Sequence, residues 1–345
     1  MTTVRVGPRM VSPTLPAVRP VTESVSELLA GVTTREQLAA GDGKSGASLE
    51  RVTIGDEIYV LKRLGFATDW VARATGDLAC RPRLMWCAGL FDRLPDCLDH
   101  AVVGCADDPP HGAALLMRDV TEWLVPEGDG PLPLAQHRRF LDHMAALHAE
   151  FIGYEDTVGL LPMESRLLVL SPWTAAAERD YGGTHPVPTT LMPQGWQRLP
   201  VVAPRAGALA LTLIDEPGPL VSALADTPAT LVHGDWKCGN LGTGPDGRTI
   251  LLDWATPGQA PPCFDLAWYV AINAARLPES KEDTIAAYRR ALEGHGVDTG
   301  GWFERQLELC LIGAFLVLGW EKAFGDPAEL QWWEQRVVAA ERWLG

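Results

Sequence analysis

Hydrophobic and polar positions change rhythm along this chain, and the change divides it in two. Residues 22–30, TESVSELLA, read as a short helix. A strand-like piece, TTREQLAA, leads into a glycine-rich stretch at 41–48, GDGKSGAS. ASLERVTI and EIYVLKRL follow as two more strands, with Gly55-Asp56 as a two-residue hairpin turn between them. A period of two in the last strand places Ile58, Val60 and Lys62 on one face. Thr68 is a good N-cap residue, so a helix carrying DWVARATGDLA is expected from there. Further strands are expected at about 98–105 and at 112–118, the second being GAALLMRD. The first third of the chain thus predicts a small sheet with one or two helices.

From residue 134 the period becomes helical. Phe140, Met144, Leu147 and Phe151 recur at the spacing of one buried helix face. Residues 155–200, rich in Pro, Trp and Gly, show no clear period. Residues 203–214 and 218–225 read as helices, and 229–253 as strands around the turn GPDG. Beyond about 278 the chain is mainly amphipathic helix. Its length, 345 residues with 47% hydrophobic, leaves room for two packed lobes.

Composition narrows the classes. The most apolar stretch, LCLIGAFLVLGW at 309–320, falls short of the roughly 18 residues of a membrane span and reads as a buried helix. The first twenty residues lack the apolar block of a signal peptide. The seven cysteines show no CxxC pair or zinc-like spacing, so reduced, mostly buried thiols and a cytoplasmic location are expected. A net charge of −15 argues against a nucleic acid as the main partner. It suits a cationic small molecule, and equally a surface that is acidic only for solubility.

The chemistry concentrates at 231–253, LVHGDWKCGNLGTGPDGRTILLD. Apolar residues precede His233-Gly234-Asp235, Asn240 follows five residues later, and a Pro245-Asp246-Gly247 turn returns the chain to Asp253. A hairpin of this kind brings Asn240 and Asp253 to one open end. Their oxygens suit Mg²⁺, which also takes phosphate oxygens from a substrate. Asp235, in the loop before, is free to accept a proton from a hydroxyl. A base, two metal ligands and positive charge on nucleotide phosphates are the minimum for phosphoryl transfer.

HGD(x)4N followed by LLDW resembles the catalytic core of the aminoglycoside phosphotransferase and choline kinase-like enzymes, small-molecule relatives of the protein kinases. The resemblance implies an α+β, protein-kinase-like two-lobed fold, with a small antiparallel N-lobe sheet and a larger, mainly helical C-lobe. It divides the chain into an arm at 1–21, a nucleotide-binding N-lobe at 22–118, and a C-lobe at 119–345 with the catalytic loop and acceptor-binding helices. Carried over by position, Asp235 is the base, and Asn240 and Asp253 are the Mg²⁺ ligands. His233 is a brace for the loop, and Asp265, in CFDLAWYV, hydrogen-bonds it. Lys237 reaches towards the γ-phosphate. Lys62, in YVLKRL, matches the strand lysine on the α/β-phosphates, and Val60 packs on the adenine. LLMRDV at 115–120, with Met117 and Asp119, resembles the inter-lobe linker at the adenine edge, Asp119 being equally readable as a turn cap. The lysine's usual Glu partner is missing from 66–91, and Asp77 has about the right separation to replace it.

The resemblance implies transfer of a phosphate from ATP or GTP to a hydroxyl of a small molecule: an aminoglycoside-like antibiotic, an amino sugar, a sugar or an amino alcohol. A cationic acceptor fits the Trp- and acid-rich C-terminal region, which includes Trp268, Trp320, Glu321, Asp326, Trp332 and Trp333. No membrane partner is expected. A catalytically silent nucleotide-binding module is the rival reading. A metallophosphoesterase lacks its companion metal motifs here, and a protein kinase lacks room for an activation loop between Asp253 and FDLAW. GDGKSGAS is not a P-loop: position 38, where the first glycine belongs, is leucine, and a strand rather than a helix follows. It reads as a flap whose Gly43, Ser45 and Gly46 backbone approaches phosphates.

Overall fold

A computed structural model describes residues 19–38, 46–109 and 112–344. Helix α1 (Val25–Leu28) is capped by Ser24, whose side chain accepts the Glu27 N–H. Strands β1 (Val32–Leu38), β2 (Ser48–Ile54) and β3 (Glu57–Leu64) follow. Next come α2 (Trp70–Ala74), α3 (Arg81–Cys87), β4 (Leu98–Asp99), β5 (Val102–Asp108) and β6 (Gly112–Arg118). Five of these strands make one antiparallel sheet in the order β1-β2-β3-β6-β5.

Alternation gives the sheet two different faces. Val52, Leu61, Ala114 and Leu116 pack with Leu29, against α1. On the other face Val60, Lys62 and Leu64 stand opposite Met117, Leu115 and Ala113, and this side meets the main core. The helix expected from Thr68 is instead two helices. Asp69, not Thr68, is the N-cap of α2, its carboxylate accepting the Val71 and Ala72 N–H groups. Pro82 then opens α3, because proline is tolerated in a first helical turn and not in an interior.

The second half begins with α4 (Leu134–Glu150), which buries Phe140, Leu141, Met144 and Leu147. The stretch without a clear period contains α5 (Met163–Leu168), α6 (Pro172–Tyr181) and α7 (Met192–Val202). Helices α8 (Pro204–Asp215) and α9 (Gly218–Ala225) lead to β7 (Thr230–Val232), β8 (Leu241–Thr243), β9 (Thr249–Leu251) and β10 (Gly258–Ala260). β8 and β9 form the expected hairpin, extended by β4 in parallel with β9, and β7 pairs with β10. The chain ends in α10 (Cys263–Ile272), α11 (Lys281–Gly294), α12 (Phe303–Lys322) and α13 (Pro327–Ala340). α12 is buried nearly all round, which explains the apolar run at 309–320. No single helix among the described residues is long and apolar enough to cross a membrane. All seven cysteines are free thiols, and burial pushes Cys80 up to about 12.

One buried ion pair ties α2 to α6 across the two halves. Arg73 Nε and Nη2 donate to Glu178 Oε2 and Oε1 at 2.7 and 2.6 Å, a two-pronged geometry. Arg73 Nη1 also donates to the Phe66 and Ala67 carbonyls, and its guanidinium lies 4.4 Å from the Tyr181 ring centre. Glu178 is only 4% exposed, so removing the arginine strands a buried carboxylate, at a cost of about 3–5 kcal/mol. Arg73→Met should therefore lower the urea midpoint markedly. A midpoint within error of the parent would show that this bridge does not hold the two halves.

Candidate active site

The loop after β7 is held from beneath by one buried carboxylate. Asp265, in the first turn of α10, is fully buried. Its Oδ2 accepts the His233 N–H and its Oδ1 the Gly234 N–H, both at 2.8 Å. His148 Nε2 lies 3.3 Å from Oδ2, while His148 Nδ1 meets the Tyr288 hydroxyl at 2.6 Å. Burial pulls the Asp265 carboxyl up, but the hydrogen bond and charge of His148 and the backbone donors outweigh it and hold it below the usual range. His233 braces the next segment. Its Nδ1 accepts the Asp235 N–H at 3.2 Å, so Nε2 carries the proton and donates to the Leu252 carbonyl at 3.0 Å. Burial lowers the His233 pKa, which suits this neutral, two-sided role.

The loop presents Asp235 inside a shell of donors. Asn240 Nδ2 donates to Asp235 Oδ2 and to its backbone carbonyl, both at 2.9 Å. Lys237 Nζ is 2.8 Å from Oδ2. Trp268 Nε1 donates to Oδ1 at 3.1 Å. The Leu252 N–H donates to the Asn240 carbonyl at 2.9 Å and Leu241 pairs with Leu251, so Asn240 and Asp253 emerge from one end of the β8–β9 hairpin.

Across from this loop, Lys62 Nζ donates to Asp253 Oδ1 at 2.7 Å. Asp253 has φ +62°, a left-handed conformation rare for a residue with a Cβ. Burial raises its carboxyl, but the charges of Lys62 and Lys237 and the Lys62 hydrogen bond win, holding it at about 2. The expected Lys62–Asp77 pair does not form. Asp77 Oδ2 accepts the Arg81 N–H at 3.0 Å, because the break between α2 and α3 turns it towards the start of α3. Lys62 is paired with Asp253 in place of Asp77. With Asn240 Nδ2 spent on Asp235, the oxygen of that amide has no hydrogen bond to the described residues. One amide oxygen and one ionised carboxylate are donors of the kind Mg²⁺ takes. No group of three or more His, Cys, Asp or Glu able to hold a metal occurs among the described residues.

Above the pair lies a narrow cleft bounded by Lys62, Leu64, Val102, Leu115, Met117, Asp253 and Trp254. Behind it a column of rings joins the sheet to the loop. His100 stacks on Phe91 at 4.6 Å between ring centres. Phe91 meets Trp254 edge-on at 5.8 Å, and Trp254 meets His233 at 4.6 Å. Burial drives His100 down to about 4, so it is a neutral ring in this stack. Val60 and Met117 are register partners on the cleft side of the sheet. Asp119 is a turn cap: it accepts from Arg51 Nε at 2.9 Å, the Thr121 N–H at 3.1 Å and the Thr121 hydroxyl at 2.5 Å. Gly43 and Ser45 lie outside the described residues. Gly46 has φ +101°, and a Cβ there would sit 2.3 Å from the Thr68 carbonyl, so the base of the flap is pressed against the entrance to α2.

Two contributors carry no motif. Trp268 was expected only as part of an aromatic acceptor region, and its tie to Asp235 was not. Arg166, from α5, lies in the stretch without a clear period. Its guanidinium is buried, makes no hydrogen bond among the described residues, and sits 5.3 Å from the Phe264 ring centre. Burial lowers its pKa to about 10, with Asp265 opposing. It fills the space beside Gly234. A Cβ on Gly234, at φ +84°, would lie 2.1 Å from Arg166 Nη1 and 2.2 Å from the Thr256 carbonyl. A buried arginine at 166 cannot be read from local sequence, because its neighbours come from three distant segments.

A family model described as the phosphotransferase enzyme family matches residues 100–299. No curated protein sequence matches the chain. Among solved structures, the microcompartment-associated aminopropanol kinase is 14% identical, covering 92% of this chain and 95% of that one, with a TM-score of 0.51. LicA, the choline kinase of Streptococcus pneumoniae, in complex with AMP, is 15% identical over 93% and 95%, with a TM-score of 0.50. A thermostable aminoglycoside phosphotransferase bound to ADP and hygromycin B is 14% identical over 92% and 97%, with a TM-score of 0.47. At these identities the likeness concerns the fold, which is the protein-kinase-like α+β arrangement.

Two substitutions test the loop. Gly234→Ala combines left-handed strain with overpacking, together about 2–4 kcal/mol, and should appear as a lower unfolding midpoint. For Asp265, the folded carboxyl titrates below its unfolded counterpart, so its stabilisation is present above the unfolded value, near 4. It is lost as the pH falls through the folded one. Asp265→Asn should flatten the acid side of a plot of unfolding free energy against pH, and an unchanged acid side would remove Asp265 as the anchor.

Proposed function

Because the chain belongs to the phosphotransferase enzyme family and is a small-molecule kinase, we propose that it moves the γ-phosphate of ATP to a hydroxyl of a small molecule, with Asp235 as base. The observation that carries this reading is the convergence of two clusters: Asp235 within its donors Asn240, Lys237 and Trp268, and Asp253 bound to Lys62 at 2.7 Å. Each residue that the motif singles out for chemistry in 231–253 stands in one of them.

The nucleotide lies between the sheet and the helical half. Lys62, already drawn to Asp253, contacts the α/β-phosphates, and Val60 and Met117 provide apolar surface for the base. Asn240, through its amide oxygen, and Asp253 would hold Mg²⁺, which when bound neutralises charge on the phosphates. Lys237 Nζ, 2.8 Å from Asp235 Oδ2, keeps that tie and points its remaining donors to the γ-phosphate. Asp235 orients the acceptor hydroxyl and takes its proton as the oxygen–phosphorus bond forms and the bond to the ADP oxygen breaks. The acceleration comes mainly from positioning and fixed charge.

Several acids of the C-terminal region are engaged with neighbours. Glu329 pairs with Lys281 and accepts the Trp333 indole N–H at 2.7 Å. Glu282 accepts from Trp332 and Arg336 at 2.7 and 2.9 Å. Asp326 caps α13, and Trp333 is fully buried. These side chains are committed to one another and to Lys281 and Arg336, so they are poor candidates for a cage around a cationic acceptor.

Two variants and a panel test the reading. Asp235→Asn should lower phosphate transfer by roughly 10²–10⁴-fold while binding Mg-ATP almost as tightly as the parent. Asp253→Ala should weaken Mg-ATP binding in calorimetry. The acceptor is sought by ADP release with amino alcohols, amino sugars and sugars. Neither slow Mg-ATP hydrolysis nor ADP with any acceptor would favour the silent nucleotide-binding module.

A further inference from the structure

We propose that Trp268 is a positioning residue for the base: its indole N–H locks the Asp235 carboxylate so that one lone-pair direction, on Oδ1, is left for the accepting hydroxyl. The inference rests on the reading of Asp235 as the base. An ionised carboxylate offers about four lone-pair directions. Two belong to Oδ2, where Asn240 Nδ2 stands at 2.9 Å and Lys237 Nζ at 2.8 Å. Of the two on Oδ1, one receives the Trp268 N–H at 3.1 Å. The hydroxyl that gives up its proton must use the last, beside the indole.

The indole is well placed to act as a stop because its own position is set by other contacts. Trp268 lies three residues after Asp265 on α10, so the two side chains share a helix face. Asp265 is clamped by the His233 and Gly234 N–H groups at 2.8 Å, which fixes α10 against the loop that carries Asp235. One helix therefore holds both the backbone of the loop and the rotation of the carboxylate at its tip. Asn240 constrains the same group from the other side by bonding both the carboxylate and the backbone carbonyl of Asp235. Without the indole N–H, the Asp235 carboxylate can turn about its last bond, and the open lone pair no longer has a fixed direction towards the phosphate.

Trp268→Phe keeps an aromatic ring and removes the donor. With Mg-ATP and water as acceptor, the full-length variant should hydrolyse ATP with kcat reduced roughly 10- to 100-fold, the scale of a misplaced reacting group, and with KM for Mg-ATP essentially unchanged. A wild-type kcat in Trp268→Phe, with Asp235→Asn inactive, overturns the proposal and leaves the base in place. Wild-type hydrolysis in Asp235→Asn removes the base reading itself, and this proposal with it. A second measurement does not depend on turnover. In protein labelled with ¹⁵N at the indoles, the resonance missing from Trp268→Phe is that of Trp268. It should shift in Asp235→Asn, where the acceptor loses its charge, and stay in place in Arg73→Met. An indole resonance indifferent to Asp235→Asn overturns the proposal even where Trp268→Phe folds poorly.

Discussion

A carboxylate with no contact to solvent governs the geometry of this protein. Asp265 accepts the backbone N–H groups of His233 and Gly234 and the ring N–H of His148. An unpaired charge at such depth would be expensive, and these donors offset that cost. Because two of them are consecutive backbone groups, satisfying the charge bends the chain into one loop conformation. Gly234 supplies the left-handed turn, with Arg166 packed where a side chain would stand. Asp235 then projects from the loop in a direction set by α10 and not by the loop's own preferences.

The sheet is brought to that loop by two unlike contacts. The ring column from His100 through Phe91 and Trp254 to His233 is apolar and close-packed, so it fixes distance. The Lys62–Asp253 pair is directional and charged, and it fixes the lysine of β3 against the end of the β8–β9 hairpin. At the other edge Arg73 and Glu178 join α2 to α6. A small-molecule kinase has little covalent chemistry to perform, and alignment of its two halves is what such a fold chiefly contributes.

The same economy of charge shapes the acceptor side. Trp332 and Trp333, which look in sequence like part of a cationic cage, donate in the folded protein to Glu282 and Glu329, and these acids also pair with Arg336 and Lys281. What faces Asp235 is the indole of Trp268.

The sequence by itself determined the elements with strong periodicity and the motif. The β2–β3 hairpin, α4, α8, α9 and the β8–β9 hairpin lie where alternation and helical spacing place them, since local pattern and burial agree there. His233, Asp235, Asn240, Asp253 and Asp265 were legible because one short loop, one hairpin and the helix after it carry them at fixed spacing. Tertiary structure decided the rest. Asp77 has the right separation from Lys62, yet the break between α2 and α3 turns it to Arg81. Trp268 and Arg166 belong to the site through helices α10 and α5, and Asp119 is a cap because Arg51 of another strand reaches it. The physical reason is one of range: turns, caps and periodic faces follow from neighbours a few residues away. The partner of a buried charge is set by which distant elements the core brings together.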